Sequence, residues 1–191
     1  MKSIILMGIK HCGKSTQAKL VGKKLGLPVF DTDTLVEDET GFSPREIYTQ
    51  KGEQAFKDAE TNACLNLKEK LLQEKKDAVI ATGGGICNNP SALEILKSIG
   101  VCVFLKADEK IAVERILKEA AVAEDGSIKN LPAYIAKKNP QSLEEVREIF
   151  HGFYEERSKI YSNIADKTVK MGNAPKWVNT RQIVEVLKRD N

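Results

Sequence analysis

The chain has 191 residues, 41% of them hydrophobic, with 30 Lys and Arg against 27 Asp and Glu for a net charge of +3. That length favours one domain around a single core. Mixed charge runs such as LKEKLLQEKKD offer no basic tract for nucleic acid or an anionic membrane surface. The four cysteines, Cys12, Cys64, Cys87 and Cys102, lack C-x-x-C spacing, so neither a zinc site nor a disulfide framework is indicated, and reduced thiols in the cytoplasm fit best.

SIILM (3–7) is a continuous apolar run ending at Gly8, the pattern of a strand covered on both faces in a parallel sheet. The opening MKSIILMG carries too few apolar residues for a signal peptide or membrane span and reads as that buried strand. A helix is predicted over about 14–25. Further strands are predicted at PVFDTD (28–33), DAVIATGGG (77–85), VCVFLKA (101–107) and KTVKM (167–171). Helices are predicted over 43–51, 53–74, 90–98, 108–121, 142–163 and 176–189, the last amphipathic with Trp177 packed inside. Phe56, Ala59, Ala63 and Leu67 form the apolar stripe of the helix over 53–74, with Lys57 beside it and Glu60 placed to steady the ammonium.

Strands alternating with helices imply βαβ units, right-handed crossovers and an α/β fold with a parallel sheet. Ligands of such sheets gather beyond the carboxyl ends of the strands, which here carry Gly8, Asp31, Asp33 and Gly83 to Gly85. The polar, turn-rich stretch AEDGSIKNLPAYIAKKNP (123–140) reads as a mobile excursion from this domain.

GIKHCGKST (8–16) fits G-x-x-x-x-G-K-[ST] and sits where a strand ends and a helix begins, the context in which backbone N–H groups wrap phosphate oxygens. Lys10, His11, Cys12, Gly13, Lys14, Ser15 and Thr16 are therefore candidate ATP-binding residues, with Lys14 on the β and γ phosphates and Ser15 on Mg²⁺. His11 and Cys12 are expected to lend backbone amides rather than side chains. No apolar run ending in D-x-x-G and no N-K-x-D follows, leaving a small-molecule kinase as the leading class.

Asp31 and Asp33, two residues apart on an extended strand, project from one side of the sheet. One suits the metal and the other the acceptor hydroxyl, whose proton a carboxylate accepts. Asp before an apolar periodic stretch is equally the signature of a helix N-cap. Three successive glycines at 83–85 point to close backbone approach to a ligand, or else to a flexible turn.

In chain order, G-x-x-x-x-G-K-S-T, D-T-D, G-E-x-x-F-[basic]-x-x-E, A-T-G-G-G and R-x-x-x-Y-x-x-x-A-D together resemble the shikimate kinase family over residues 4 to about 170. The resemblance implies a P-loop NTPase of three-layer α/β/α, nucleoside-monophosphate-kinase-like form, with a five-stranded parallel sheet. It further implies a helical substrate-binding insert at about 32–62 and a mobile lid at about 121–140 within one domain, 1–191. The implied reaction is ATP-dependent phosphorylation of the 3-hydroxyl of shikimate, on the route to chorismate and the aromatic amino acids, with Mg²⁺, in the cytoplasm, by a monomer. By motif position, Asp33 matches the acid that binds the acceptor hydroxyl and acts as base, and Asp31 the acid near Mg²⁺. Gly83, Gly84 and Gly85 match the glycines around the substrate, and Arg157 matches an arginine on the shikimate carboxylate. As sequence alone, Arg157 reads as a surface helix charge.

Two positions depart from the family. Lys57 stands where a second carboxylate-binding arginine belongs, and Lys129, in KNL (129–131), replaces the lid arginine that reaches ATP phosphates. A guanidinium meets a carboxylate with two parallel hydrogen bonds, whereas an ammonium is a point charge, so weaker shikimate binding is expected. Arg45 is an alternative source of the missing fork. Competing readings are a kinase for another hydroxylated carboxylic acid such as gluconate, a nucleoside monophosphate kinase, which residues 28–75 disfavour by holding only Arg45, and a nucleotide-binding regulatory module.

Overall fold

The computed structural model describes residues 2–123 and 127–188. The elements run β1 (Ser3–Met7), α1 (Lys14–Leu25), β2 (Val29–Asp31), α2 (Thr32–Thr40), α3 (Pro44–Glu74), β3 (Val79–Ala81), α4 (Pro90–Ile99) and β4 (Gly100–Ala107). They continue with α5 (Glu109–Glu119), β5 (Ala121–Val122), β6 (Ile128–Lys129), α6 (Ala133–Ala136), α7 (Leu143–Ile164), β7 (Lys167–Met171) and α8 (Lys176–Lys188).

Five parallel strands form one sheet in the order β2-β3-β1-β4-β7. β1 is central, with Ile5 opposite Ile80 on one side and Cys102 on the other. Adjacent residues of a strand face opposite sides of the sheet, and Ile5 and Leu6 are both fully buried. Both faces are therefore covered, which is why β1 is apolar without alternation. α1 packs on α8, β1 and β3, while α4 and α7 pack against β4. No helix among the described residues is long and apolar enough to cross a membrane, and all four cysteines are free.

The structure shortens two predicted strands. β2 ends at Asp31 and β3 at Ala81, because Asp31 caps α2 and the glycines beyond Thr82 lie in the loop above the sheet. Asp33 is consequently in the first turn of α2, not on an extended strand; α2 is absent from the predicted helices but is the helix that the N-cap alternative anticipates. The predicted segments 43–51 and 53–74 are the two helical halves of α3, which meet at a kink at Gly52, whose φ of 89° only glycine adopts readily. Ser43 and Glu46 start α3 with a reciprocal capping box.

Within the excursion at 123–140, residues 124–126 lie outside the described residues. The remainder carries unforeseen order: β5 pairs antiparallel with β6, and α6 follows, with Leu131 and Ile135 buried in the core. Trp177 is not packed inside as predicted. It is 66% exposed, since α8 turns Asn179, Thr180, Ile183 and Val184 inward instead.

Candidate active site

The loop after β1 leads into α1, whose N-cap is Gly13, with no capping side chain and no acid in the first turn. The helix thus presents its orphan N–H groups and positive dipole end uncompensated, as an anion site requires. Lys14 is buried and folds back into the loop, donating to the carbonyls of Gly8 and Ile9 at 2.9 Å each and lying 3.7 Å from Cys12 Sγ. Cys12 is itself buried, its amide donating to Ile9 O at 3.4 Å. His11 has φ 64°, and its carbonyl accepts a 2.6 Å bond from Arg115 on α5. The protein around the His11 ring partly dehydrates it and lowers its pKa, against the opposing charge of Glu119. Ser15 and Thr16 are exposed at the loop's mouth.

Ser15 Oγ donates to Asp31 Oδ2 at 2.6 Å, while Asp31 Oδ1 accepts from the amide of Asp33 at 3.1 Å. Asp31 thus caps α2 and also faces the loop serine. Asp33 opens onto a cavity, and the surrounding protein dehydrates its carboxyl enough to raise its pKa, with the Asp31 charge adding to the shift. Across from it, Glu60 is 1% exposed, with Oε2 accepting from Asn89 Nδ2 at 3.0 Å. Its Oε1 has no hydrogen-bond partner among the described residues. Burial pushes the Glu60 carboxyl up to about 7, against the Asn89 hydrogen bond and with help from the Asp33 charge.

The two acids converge on Gly83. A Cβ there would sit 2.7 Å from Asp33 Oδ1 and 3.2 Å from Glu60 Oε1, and the Gly83 amide is pinned by Thr32 Oγ1 at 2.9 Å. Gly84 lies against the Lys10 backbone, where a Cβ would come within 2.8 Å of the Lys10 nitrogen. Gly83 and Gly84 are therefore the close-approach positions joining the acids to the phosphate loop, whereas a Cβ at Gly85 would meet nothing within 4 Å. Gly83→Ala is expected to displace Asp33 and reduce kcat about 100-fold, the scale of an ångström-sized misplacement, with little change in far-UV circular dichroism. Retained kcat would contradict that packing role.

Asp33, Gly83, Gly84, Gly85, Lys57 and Arg157 line one cavity of ≈ 580 Å³ beside Lys10. Arg157, against the surface-charge reading, is only 8% exposed. Its guanidinium lies 4.4 Å from the centre of the Tyr134 ring and 5.4 Å from that of Phe153, and donates to Gly84 O at 3.2 Å. A spacing signal existed: Phe150, Tyr154, Arg157 and Tyr161 recur at helical intervals and all are buried. Tyr161 OH also donates to Gly84 O, at 3.1 Å, and its ring stacks on Phe104.

Lys57 lines the cavity but is not steadied by Glu60. Its Nζ sits 3.0 Å from Glu53 Oε1, one turn earlier, because Glu60 belongs to the buried stripe with Cys64, Leu67 and Leu71. Arg45 is exposed at the cavity wall. Leu131, Pro132, Tyr134 and Lys137 cover the cavity from the 128–140 segment. Lys129 is exposed on β6 and lines neither this cavity nor the next.

A second cavity, ≈ 300 Å³, opens beside Gly13 and Thr16 and is walled by Asp108, Arg115 and Gly172 to Ala174. Cys12, Gly13 and Thr16 of its lining were predicted, whereas Asp108, Arg115 and Gly172 to Ala174 were missed because they come from separate segments that no local motif unites. Among the described residues, no cluster of three or more His, Cys, Asp or Glu side chains could hold a metal by itself.

A family model for shikimate kinase matches residues 10–188. A shikimate kinase from Syntrophus aciditrophicus is 32% identical over 190 residues, 98% of this chain and 90% of that protein. The crystal structure of shikimate kinase from Aquifex aeolicus, 31% identical, superposes with a TM-score of 0.71 over 98% of this chain and 97% of that one. The shikimate kinase from Acinetobacter baumannii in complex with shikimate shares the fold, with a TM-score of 0.79 at 23% identity over 100% of this chain and 95% of that one. With the phosphate loop, paired acids and glycine run assembled on this sheet, the chain belongs to the shikimate kinase family.

Proposed function

We propose that the ≈ 580 Å³ cavity receives shikimate and that Asp33 holds its 3-hydroxyl and accepts its proton as the γ-phosphoryl of ATP is transferred. The observation that carries this reading is the convergence of Asp33, Gly83 to Gly85 and Arg157 on one cavity beside the phosphate loop. The base works ionised. Enclosure and Asp31 raise its proton affinity, which Lys14 and Lys10 restrain.

Lys14 leaves the Gly8 and Ile9 carbonyls to meet the phosphates, and the nucleoside takes the ≈ 300 Å³ cavity beside Gly13. Ser15 and Asp31 fit Mg²⁺, which keeps water and phosphate oxygens as most of its ligands and needs few protein groups. When bound, that ion supplies charge neutralisation of the phosphates. Residues 32–62 act as the substrate-binding insert and 121–140 as a lid whose closure excludes water and brings Lys129 toward the phosphates. The protein is proposed to act as a monomer, and the free cysteines suit the cytoplasm.

Arg157 and Lys57 receive the carboxylate. Lys57→Arg, which restores a planar fork, is expected to lower KM for shikimate about fivefold, from about 1 kcal/mol of added charge-assisted hydrogen bonding. Steady-state kinetics at saturating ATP measure it, and an unchanged or higher KM contradicts the role given to Lys57.

A further inference from the structure

We infer that Lys137, on the segment covering the cavity, is a second ligand of the acceptor's carboxylate, and that Glu53 holds that place in the empty enzyme. This rests on the reading that the acceptor is a carboxylic acid, and deepens it.

Around Glu53 the chain builds a carboxylate site and fills it with its own carboxylate. Oε1 lies 3.0 Å from Lys57 Nζ, and Oε2 accepts from Tyr48 OH at 3.0 Å with Lys137 Nζ at 3.9 Å. Lys137 also donates to the Tyr48 hydroxyl, and its ammonium sits 4.3 Å from the centre of the Tyr48 ring. Tyr48, Glu53, Lys57 and Lys137 all line the cavity that holds Arg157 and Asp33. Two ammonium groups from separate elements thus reach the two oxygens of one carboxylate, the task of a guanidinium fork.

The missing fork is in this way divided between α3 and the segment after α6. Tyr134 on α6 and Lys137 just beyond its end, three residues apart, bring an aromatic face to Arg157 and a cation to Glu53. Docking of the cover and capture of the acid are therefore one event.

Glu53 is suited to leave. The hydrogen bond from Lys57, then that from Tyr48, keep its carboxyl below the usual range, so it stays ionised at neutral pH and competes with an incoming acid. Its side chain is 49% exposed and that of Lys137 57%, and ion pairs this open are weak and readily exchanged. Exchange of one carboxylate for another also leaves neither ammonium unpaired.

The test is steady-state kinetics on Lys137→Ala, Lys137→Arg and Glu53→Gln, with shikimate and with its analogue bearing hydroxymethyl in place of the carboxylate. Lys137→Ala is expected to raise KM for shikimate about tenfold, the scale of one lost charge-assisted contact, with kcat within twofold and KM for the analogue unmoved. Lys137→Arg restores the shikimate KM. Glu53→Gln lowers it about two- to fivefold by removing the competitor.

An unmoved KM in Lys137→Ala, equal losses for shikimate and analogue, or a raised shikimate KM in Glu53→Gln overturns the inference. Wild-type turnover of shikimate separates the two levels. Its absence contradicts the acceptor assignment and this inference together, whereas its presence with an insensitive Lys137→Ala contradicts this inference alone.

Discussion

Asp33→Asn is expected to reduce kcat by about 10² to 10⁴, the usual contribution of a positioned general base, while ATP affinity stays within a few-fold. Asn keeps the shape and can still hold a hydroxyl, but it cannot take the proton. The location supports so large an effect: Asp33 sits in the first turn of α2 against Gly83, facing the cavity and within the field of Lys14 and Lys10. The sign of the pH dependence follows. A base with a raised pKa is lost as pH falls through that raised value, so kcat/KM should decline at a higher pH than an ordinary carboxylate would give. Glu60 beside it is pushed up to about 7 with help from the Asp33 charge, so the two acids are linked and the acid limb belongs to the pair rather than to either acid. Asp33→Asn should simplify that limb. A full pH–rate profile checks this, and a variant retaining more than a tenth of wild-type kcat would remove Asp33 from the base role.

Lys14→Met is expected to reduce kcat by about 10³, since a preorganised cation on the transferring phosphoryl group is the largest electrostatic element such a site supplies. A stability effect accompanies it. In the empty enzyme the buried ammonium satisfies two loop carbonyls at 2.9 Å, and Met leaves them without a donor at about 1 to 3 kcal/mol. Lys14→Arg should not rescue catalysis, because a planar fork does not fit a space holding a compact point charge between Gly8 and Ile9. ADP-release kinetics and thermal denaturation on the two variants measure the effects together. A kcat within tenfold of wild type in Lys14→Met contradicts the assignment.

What local pattern dictates was legible in the residues. The phosphate loop declares itself because its function requires Gly13, Lys14 and Ser15 at fixed spacing between a buried strand and a helix. The strands were legible because two covered faces demand unbroken apolar runs. Gly52 separated the two predicted helices at the residue whose φ breaks α3.

The misreadings share a cause in tertiary context. The two-residue spacing of Asp31 and Asp33 fits a strand and a helix start alike, and Asp31 proved to serve both the cap and Ser15. Glu60 looked like a partner for Lys57 because charged residues are usually solvated, yet it lies on the apolar stripe and faces Asp33. Tyr48 and Lys137, 89 residues apart, meet only across the cavity, and no local periodicity announces such a pair.

The central claim is that this cavity phosphorylates shikimate, and a coupled ADP-release assay over shikimate, quinate, gluconate and the nucleoside monophosphates tests it most directly, with ³¹P NMR of the product. The account predicts the highest kcat/KM with shikimate and a phosphate ester on its 3-hydroxyl. Preferred turnover of gluconate or a nucleoside monophosphate, or ATP binding without turnover of any acceptor, would contradict it.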